Sequence, residues 1–336
     1  MKRFIIEILV LFVLIVLTGR ILYQTNKPFE IRRLESIKKK LEIVNLGTSH
    51  GWNIDYAETK LYGTNFNIAA NTLYYDLQNY KYLYKNGYLA DDAIIIIPVS
   101  YFVFGLTENR TDRLPDDSYV NKFYNYLPPG YLYSYSPEKD IELVVFKVQE
   151  NFDLFVSSLK MDEEKVKEEK NKKPDKPKIA DKKKKKNAEN SIVVDQDEKL
   201  LKEIERMKKR AARAAKHHKE LSEFSSEEKN VKYLDQLLKE IKQNNQQAVL
   251  ITTPYYHAYN EQFGEEWFEK NYYPKMHRLS LEYNIPYLDY SDDERFAFNV
   301  KLFGDSDHMN DKGKKAFSHV LFNDLAKELN NPEIRK

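Results

Sequence analysis

The stretch DDAIIIIPVS, residues 91–100, decides the fold. Its four consecutive isoleucines end at a proline, so the run is continuously apolar and does not alternate with polar residues. Continuous runs of this kind are typical of parallel strands that helices cover on both faces, whereas strands with one wet face alternate. The stretch therefore predicts a buried central strand of a parallel sheet.

Other strands and helices alternate on both sides of this stretch. Apolar runs predict further strands, and segments with apolar residues three or four positions apart predict helices. The predicted strands lie at residues 41–47, 65–70, 247–254 and 285–291, and the predicted helices at 72–87, 226–245, 261–283 and 310–329, the third of these with an internal break at YYP. Gly87 marks the end of the first helix, and Asn310 is the predicted N-cap of the last. This alternation predicts a three-layer α/β domain with a mainly parallel sheet.

The composition excludes several classes of function. The chain has 336 residues with 54 basic and 52 acidic side chains, so no global field favours nucleic acid as a partner. Because there is no cysteine, disulfides, thiol catalysis, iron–sulfur clusters and cysteine-ligated zinc are excluded. We predict no cofactor and no nucleic-acid partner.

Residues 1–23, MKRFIIEILVLFVLIVLTGRILY, carry the strongest targeting signal. A basic head precedes an apolar run at residues 4–17, which spans about 21 Å as a helix and is shorter than the roughly 30 Å hydrocarbon core. Residues 21–23 extend the helix if Arg20 snorkels to the interface. No small-x-small cleavage site follows, so an uncleaved signal anchor is favoured over a cleaved signal peptide. Basic residues on both sides of the run leave the orientation open.

A charged insertion interrupts the alternation. Lysine and glutamate dominate residues 160–190, which contain too little apolar surface to offset their ordering entropy, so we predict disorder there. Residues 197–224 predict a solvated or partly coiled helix, on which we expect His217 and His218 to be solvated. A hydrated insertion is favoured over nucleic-acid binding, and attraction to anionic lipid or polymer is a third interpretation.

The predicted organisation of the whole chain has five parts. They are a signal-anchor helix at 1–23, a basic connector at 24–40, a first part of the α/β domain at 41–159 with an irregular excursion at 105–159, a Lys/Glu-rich insertion at 160–225 and a second part of the domain at 226–336.

A serine follows the first predicted strand in IVNLGTSHG, residues 43–51. In open parallel sheets ligands bind beyond the carboxyl ends of the strands, so Ser49 lies where a turn can expose its hydroxyl. A serine nucleophile needs a base that removes its proton and an acceptor that orients the base. Asp305 and His308, three positions apart and just before the last helix, supply both residue types.

The stretch GDSDHMN also has other interpretations. Taken alone, Asp305 and Asp307 fit loop or cap residues, with His308 merely packing. A calcium loop begins D-x-D, but Met309 stands where an oxygen ligand is needed and Ala316 replaces the bidentate acid. The other histidines show no paired ligand spacing for zinc, so we predict no metal.

The order and spacing of the two motifs resemble the SGNH/GDSL hydrolase superfamily. NLGTSHG is similar to its first sequence block and GDSDHMNDKG to its last. The D-x-x-H-x-N-x-x-G form is most similar to the membrane-anchored branch that acts on bacterial envelope polymers, which includes the D-alanyl-lipoteichoic-acid biosynthesis proteins and the O-acetyltransferases of peptidoglycan and alginate. The resemblance covers roughly residues 41–100 and 226–329. It implies a flavodoxin-like three-layer fold, with Ser49 as nucleophile, His308 as base and Asp305 as its orienting partner.

The middle of the chain departs from the superfamily pattern. No asparagine follows the third strand, where the G-x-N-D block belongs; Ser100 stands there, and Asn71 stands near the position of the second-block glycine. The resemblance implies an oxyanion hole built from the Ser49 amide with groups at Asn71 and Ser100. Removing one such donor costs about 10²–10³ in rate, so an incomplete hole predicts a slow hydrolase or a specialised transferase.

Four further residues are candidates for lining a substrate: His50, Tyr255, Tyr256 and His257. His50 follows the nucleophile, and packing on Trp52 is an equally good interpretation of it. The other three follow the fourth strand at the same edge of the sheet, where aromatic packing of the wall is the alternative.

The resemblance implies a function for the whole chain. It implies a single-pass, membrane-anchored SGNH-type serine acyltransferase or esterase outside the cytoplasm, acting on O-acyl groups of a cell-envelope glycopolymer. The implied partners are that polymer or an acylated carrier, the membrane through one N-terminal helix, and a membrane-embedded acyltransferase that delivers the acyl group. The alternative is a non-catalytic envelope scaffold that presents the basic insertion to anionic polymer or lipid. A third interpretation is a cytoplasm-facing anchored protein that uses the basic segment on lipid.

Overall fold

The structure is a computed structural model that describes residues 27–108, 122–133, 135–138, 189–222 and 227–336. The described residues divide into two compact units, one containing residues 27–36, 122–133 and 135–138 and the other containing residues 37–108, 189–222 and 227–336. The first unit contains helix α1, Phe29–Ser36, in which Leu34 is buried. The second unit contains the sheet and all the candidate site residues.

A five-stranded parallel sheet forms the centre of the second unit, with the strand order β2-β1-β3-β4-β5. Its strands are β1 Leu41–Asn45, β2 Gly63–Asn65, β3 Leu89–Pro98, β4 Gln247–Thr252 and β5 Tyr287–Asp289. In the central strand, Ile95 pairs with Val44 of β1 and Ala248 of β4 and has no exposed surface. The prediction of an α/β fold with a parallel sheet is confirmed.

The connections between the strands are mainly helical. After α1 the main helices are α2 Leu73–Lys85, α3 Glu189–Ser222, α4 Glu227–Gln243, α5 His257–Asn260, α6 Glu265–Asn271, α7 Tyr273–Tyr283 and α8 Asp311–Glu328. α2 packs against α4, and α8 packs against the short 3-10 helix Ser49–Asn53. Asn310 caps α8, as predicted, because its side chain accepts from the N–H groups of Lys312 and Gly313.

Two predicted elements are shortened or divided. The strand predicted at residues 65–70 ends at Asn65 because the chain then turns, with Ala70 at a φ of 57° and the Ile68 N–H bonded to the Gly47 carbonyl. The helix predicted at residues 261–283 with an internal break at YYP is divided there, at Tyr272, which has φ −124° and ψ −62°. A proline in the first turn of α7 explains the break, since it lacks the N–H that would continue α6.

Residues 197–222 of the charged segment lie in helix α3, but one side of that helix is buried. The buried residues are Met207, Ala211, Ala215 and Leu221. A Cβ added at Gly105 would overlap the Leu221 carbonyl oxygen, so the end of α3 lies directly on the backbone at Gly105. The expectation of a solvated helix is therefore wrong for this side.

Two further predictions fall on residues that the structure leaves undescribed. These are the signal-anchor helix at residues 1–23 and nearly all of the segment at 160–190 that we expect to be disordered. Within the described ranges, no helix combines the length and the apolar character needed to cross a membrane.

Candidate functional site

Ser49 stands after β1 on a turn that the local sequence builds. Gly47 has a φ of 98°, which favours glycine, and a Cβ there would lie 2.9 Å from the Pro98 carbonyl oxygen. Thr48 caps the following 3-10 helix, because its hydroxyl accepts from the His50 N–H at 3.4 Å. Thr48 and His50 are buried, whereas Ser49 is only half-buried. The turn therefore leaves Ser49 more accessible than either neighbour.

The structure brings Ser49, His308 and Asp305 together. His308 Nε2 lies 2.8 Å from Ser49 Oγ, and His308 Nδ1 lies 2.9 Å from Asp305 Oδ1. A carboxylate only accepts hydrogen bonds, so Nδ1 of the neutral ring carries the proton and Nε2 accepts from the Ser49 hydroxyl. A serine nucleophile with a general base and an orienting acid requires this arrangement.

The loop before α8 fixes the His308 ring. Asp305 Oδ1 accepts from the His308 backbone N–H at 2.8 Å as well as from the ring, so one carboxylate holds both. The Gly304 N–H donates to the His308 carbonyl at 2.9 Å. The Met309 N–H donates to Asn53 Oδ1 at 3.0 Å, which connects this loop to the 3-10 helix that begins at Ser49.

The protonation of His308 depends on burial and on two carboxylates. Burial lowers the pKa of His308, but the hydrogen bond to Asp305 and the charges of Asp307 and Asp305 outweigh it. The pKa of His308 therefore lies above its ordinary value. A higher pKa makes the neutral ring a stronger base for a serine hydroxyl, at the cost of a smaller neutral fraction at low pH.

His50 lies beside His308 inside the protein. Its side chain is 1% exposed, and its ring stacks on the His308 ring with the centroids 4.8 Å apart and an interplanar angle of 26°. The edges of Phe102 and Tyr255 also pack against it, at 5.7 and 5.2 Å between centroids. Trp52, the alternative packing partner of His50, is 42% exposed, and the ring contacts described for His50 are with Phe102, Tyr255 and His308.

The side chains of Asn71 and Ser100, our predicted oxyanion donors, are engaged within the protein. The Asn71 amide donates to Asp76 Oδ1 at 2.5 Å, and Ser100 Oγ lies 2.5 Å from His50 Nδ1. Both side chains are fully buried. A role for either residue in an oxyanion hole stays a prediction, as does the role of the Ser49 amide.

Asp76 accepts a hydrogen bond from the turn that carries Ser49. Its Oδ1 accepts from the Gly47 N–H at 2.7 Å in addition to the Asn71 amide. Burial raises the pKa of Asp76 to about 7, although both hydrogen bonds oppose this. Asn71 and Asp76 are both buried, so they stabilise the turn from the interior of the protein.

The residues after β4 occupy different environments. Tyr255 is buried against His50, as described above. Tyr256 is also buried, and its N–H donates to the Ser306 carbonyl at 3.0 Å. The His257 side chain is 33% exposed. Tyr256 is thus bonded to the loop that carries His308 and Tyr255 packs on His50, and a substrate role for the four candidate lining residues stays a prediction.

His218 on helix α3 also reaches the neighbourhood of the site, so our expectation that it is solvated is wrong. Its ring stacks on Phe102 at 4.0 Å between centroids, and its Nδ1 lies 2.7 Å from the Tyr259 hydroxyl. Burial lowers the pKa of His218 to about 3. On the same helix, Arg210 donates to the Gly304 carbonyl at 3.3 Å. The sequence contains a signal for this packing, namely small or apolar residues three and four positions apart. The high charge of the segment favoured a solvated helix instead.

His50, Asp307 and His308 are close enough to suggest a metal site. One ligand atom from each lies within 4.8 Å of the others. However, His50 Nε2 is hydrogen-bonded to Asp307 Oδ2 at 3.1 Å, and His308 Nδ1 is bonded to Asp305. Since these nitrogen and oxygen atoms already form hydrogen bonds with one another, we interpret the cluster as a hydrogen-bonded network. The absence of a metal stays a prediction.

The sheet and the two loops define an α/β protein with a hydrogen-bonded Ser–His–Asp set next to β1. Over residues 31–325 the chain matches the family described as protein of unknown function, DUF1574, and it belongs to that family. Neither a comparison with curated proteins nor one with solved structures finds a match. The family description names no activity, so the function has to be argued from the site.

Proposed function

We propose that the protein is a membrane-anchored, extracytoplasmic SGNH-type serine acyltransferase or esterase that acts on O-acyl groups of a cell-envelope glycopolymer. The observation that carries this proposal is the hydrogen-bonded set Ser49–His308–Asp305, with distances of 2.8 and 2.9 Å. The motifs that hold these residues are the ones that resemble the SGNH/GDSL superfamily. The anchor is predicted from residues 1–23, whereas the outward orientation, the polymer and a membrane-embedded partner that delivers the acyl group come from that resemblance alone.

The strand order supports the finer fold assignment. The order β2-β1-β3-β4-β5 is that of flavodoxin-like sheets, which bind ligands beyond the carboxyl ends of their strands. Ser49 follows β1 at that edge, and Ser100 follows the neighbouring β3. We therefore propose the three-layer SGNH fold, for which Ser49 is at the position of the nucleophile.

The proposed reaction has two stages. Ser49 Oγ attacks an ester or thioester carbonyl while its proton passes to His308 Nε2, and the oxyanion collapses as the leaving group departs with that proton. The product is an acyl-serine. A sugar or polyol hydroxyl then gives its proton to His308 and attacks the acyl carbon, after which Ser49 recovers a proton and leaves. Water in place of the sugar hydroxyl gives hydrolysis.

A comparison of envelope ester content tests this proposal in cells. Replacing Ser49 with alanine is expected to lower the ester-linked acyl content of the envelope to that of cells lacking the protein, because no acyl-serine can form. Ser280→Ala, in α7, is the matched control and is expected to leave the content unchanged. Equal ester content in wild-type and Ser49→Ala cells would contradict the proposed function.

The second candidate function is a scaffold that binds an anionic polymer or lipid. Helix α3 favours it, because four of its cations are exposed and form no ion pair with any residue that the structure describes: Lys208, Lys209, Arg213 and Lys216. Reversing these charges is preferable to deleting the helix, since its other side is buried. For a scaffold, charge reversal removes the cellular phenotype and Ser49→Ala does not; for the enzyme we expect the opposite.

A further inference from the structure

A second Ser–His–Asp chain lies buried beside the first. Ser100 Oγ is 2.5 Å from His50 Nδ1, and His50 Nε2 is 3.1 Å from Asp307 Oδ2. Ser100 has no exposed surface and the His50 side chain only 1%, so this chain is shielded from solvent. Its nearest partially exposed titratable neighbour is His308, on whose ring the His50 ring stacks.

The proton positions in this chain follow from the chemistry of its ends. The Asp307 carboxylate can only accept, so His50 Nε2 carries a proton and donates it to Oδ2. The neutral ring then has an acceptor at Nδ1, which receives the Ser100 hydroxyl. Asp307 Oδ1 accepts from the Ser306 hydroxyl at 3.0 Å. Each carboxylate oxygen thus has one neutral donor, and burial keeps the pKa of His50 below its ordinary value.

The negative charge of Asp307 lies close to the His308 ring. Its Oδ2 lies 3.7 Å from His308 Nδ1, compared with 2.9 Å for Asp305 Oδ1. The side chain of Asp305 is 43% exposed and that of Asp307 only 9% exposed. Because solvent screens an exposed charge more strongly than a buried one, the more distant Asp307 exerts a field comparable with that of Asp305. The stacked His50 ring also shields this side of His308.

We propose that two carboxylates, not one, stabilise the protonated His308 ring, and that the buried Ser100–His50–Asp307 chain holds the second carboxylate ionised beside it. Asp307 and His50 are then positioning residues, with Asp305 as the direct hydrogen-bond partner. Their meaning for catalysis rests on the proposed function, because His308 becomes charged when it takes the Ser49 proton.

The other charged and titratable groups around this pair come from four parts of the chain. His50 approaches from the 3-10 helix after β1, Lys314 from α8 and His218 from α3, and the hydroxyls of Tyr255 and Tyr259 approach Asp307 from the segment after β4. Lys314 lowers the pKa of His308, whereas Asp305 and Asp307 raise it. His218 has its pKa lowered to about 3, so it stays neutral over the pH range of the test.

An NMR titration of the His308 ring in the full-length chain tests the inference without any enzymatic readout. We expect Asp307→Asn to lower the pKa of His308 by about one pH unit, the effect of removing one nearby opposite charge. Asp305→Asn is expected to lower it also. His50→Leu removes the donor to Asp307, so it should lower the His308 pKa in the same direction, and His50→Gln, which keeps an N–H donor, should restore it. The control is Asp91→Asn, whose carboxylate is 96% exposed and paired with Lys40.

An unchanged His308 pKa in Asp307→Asn, together with a lower one in Asp305→Asn, would overturn the inference. Asparagine has nearly the shape of aspartate, so this variant decides the matter even if His50→Leu does not fold. The test is separable from the proposed function. If Ser49 proves unreactive while the His308 pKa responds to Asp307, the function fails and this inference stands.

Discussion

Replacing His308 with glutamine is expected to slow the modification of Ser49 by a fluorophosphonate by about 10²- to 10⁴-fold, the usual contribution of a general base. The reagent forms an oxygen–phosphorus bond as fluoride leaves, and the Ser49 proton has to be accepted as this happens. His308 Nε2, 2.8 Å from Ser49 Oγ, is placed to accept it, whereas a glutamine amide is not basic. Intact-protein mass spectrometry over time measures the rate.

The control for this variant is His319→Gln. His319 lies on α8 with a side chain that is 66% exposed, and its loss should leave the rate within about twofold of wild type. The wild-type rate should also rise with pH, because only the neutral ring accepts a proton. Since the carboxylates raise the pKa of His308, the midpoint is expected above the ordinary histidine value of about 6.5. A His308→Gln variant that reacts as fast as wild type would remove His308 from the mechanism.

Replacing Gly105 with alanine is expected to lower the free energy of unfolding by about 3 kcal/mol, at the upper end of the range for overpacking. A Cβ at this position would overlap the Leu221 carbonyl oxygen and the Ser222 Cα, so the end of α3 would have to move. These atoms belong to backbone, which adjusts less easily than the far end of a flexible side chain. Denaturant titration measures the loss.

The matched control is Gly130→Ala, where the added Cβ would meet no atom within 4 Å among the residues that the structure describes. We expect this substitution to change the stability by no more than about 0.5 kcal/mol. If Gly105→Ala were as stable as the control, the end of α3 would not lie on the backbone at Gly105 as described, and the contacts of His218 with Phe102 and Tyr259 would lose their support.

The sequence predicted the centre of the fold and the first Ser–His–Asp set for clear physical reasons. The isoleucine run is stable only when both faces of the strand are buried, so β3 could be predicted from its own residues. Asp305 and His308 are three positions apart on one loop, so their contact is local. Only the contact with Ser49 spans a long separation, and the sheet topology places both loops at one edge.

The second chain was not predictable in the same way. His50 and Asp307 are 257 positions apart, and their contact depends on how two buried loops pack side by side. Asp307 in isolation fits a cap residue, and Ser100 fits the end of a strand. The burial of α3 was missed for another reason. Its net composition favours solvent, whereas its packing depends on one narrow side of small residues.

In the proposed mechanism Ser49 is a nucleophile activated by His308. Treatment of the full-length chain with a serine-directed fluorophosphonate, followed by mapping of the modified peptide, tests this role of Ser49 without a known substrate. We expect one modified residue, Ser49, and no modification in Ser49→Ala. Modification that persists at the wild-type rate in Ser49→Ala, or that maps to another serine, would contradict this role.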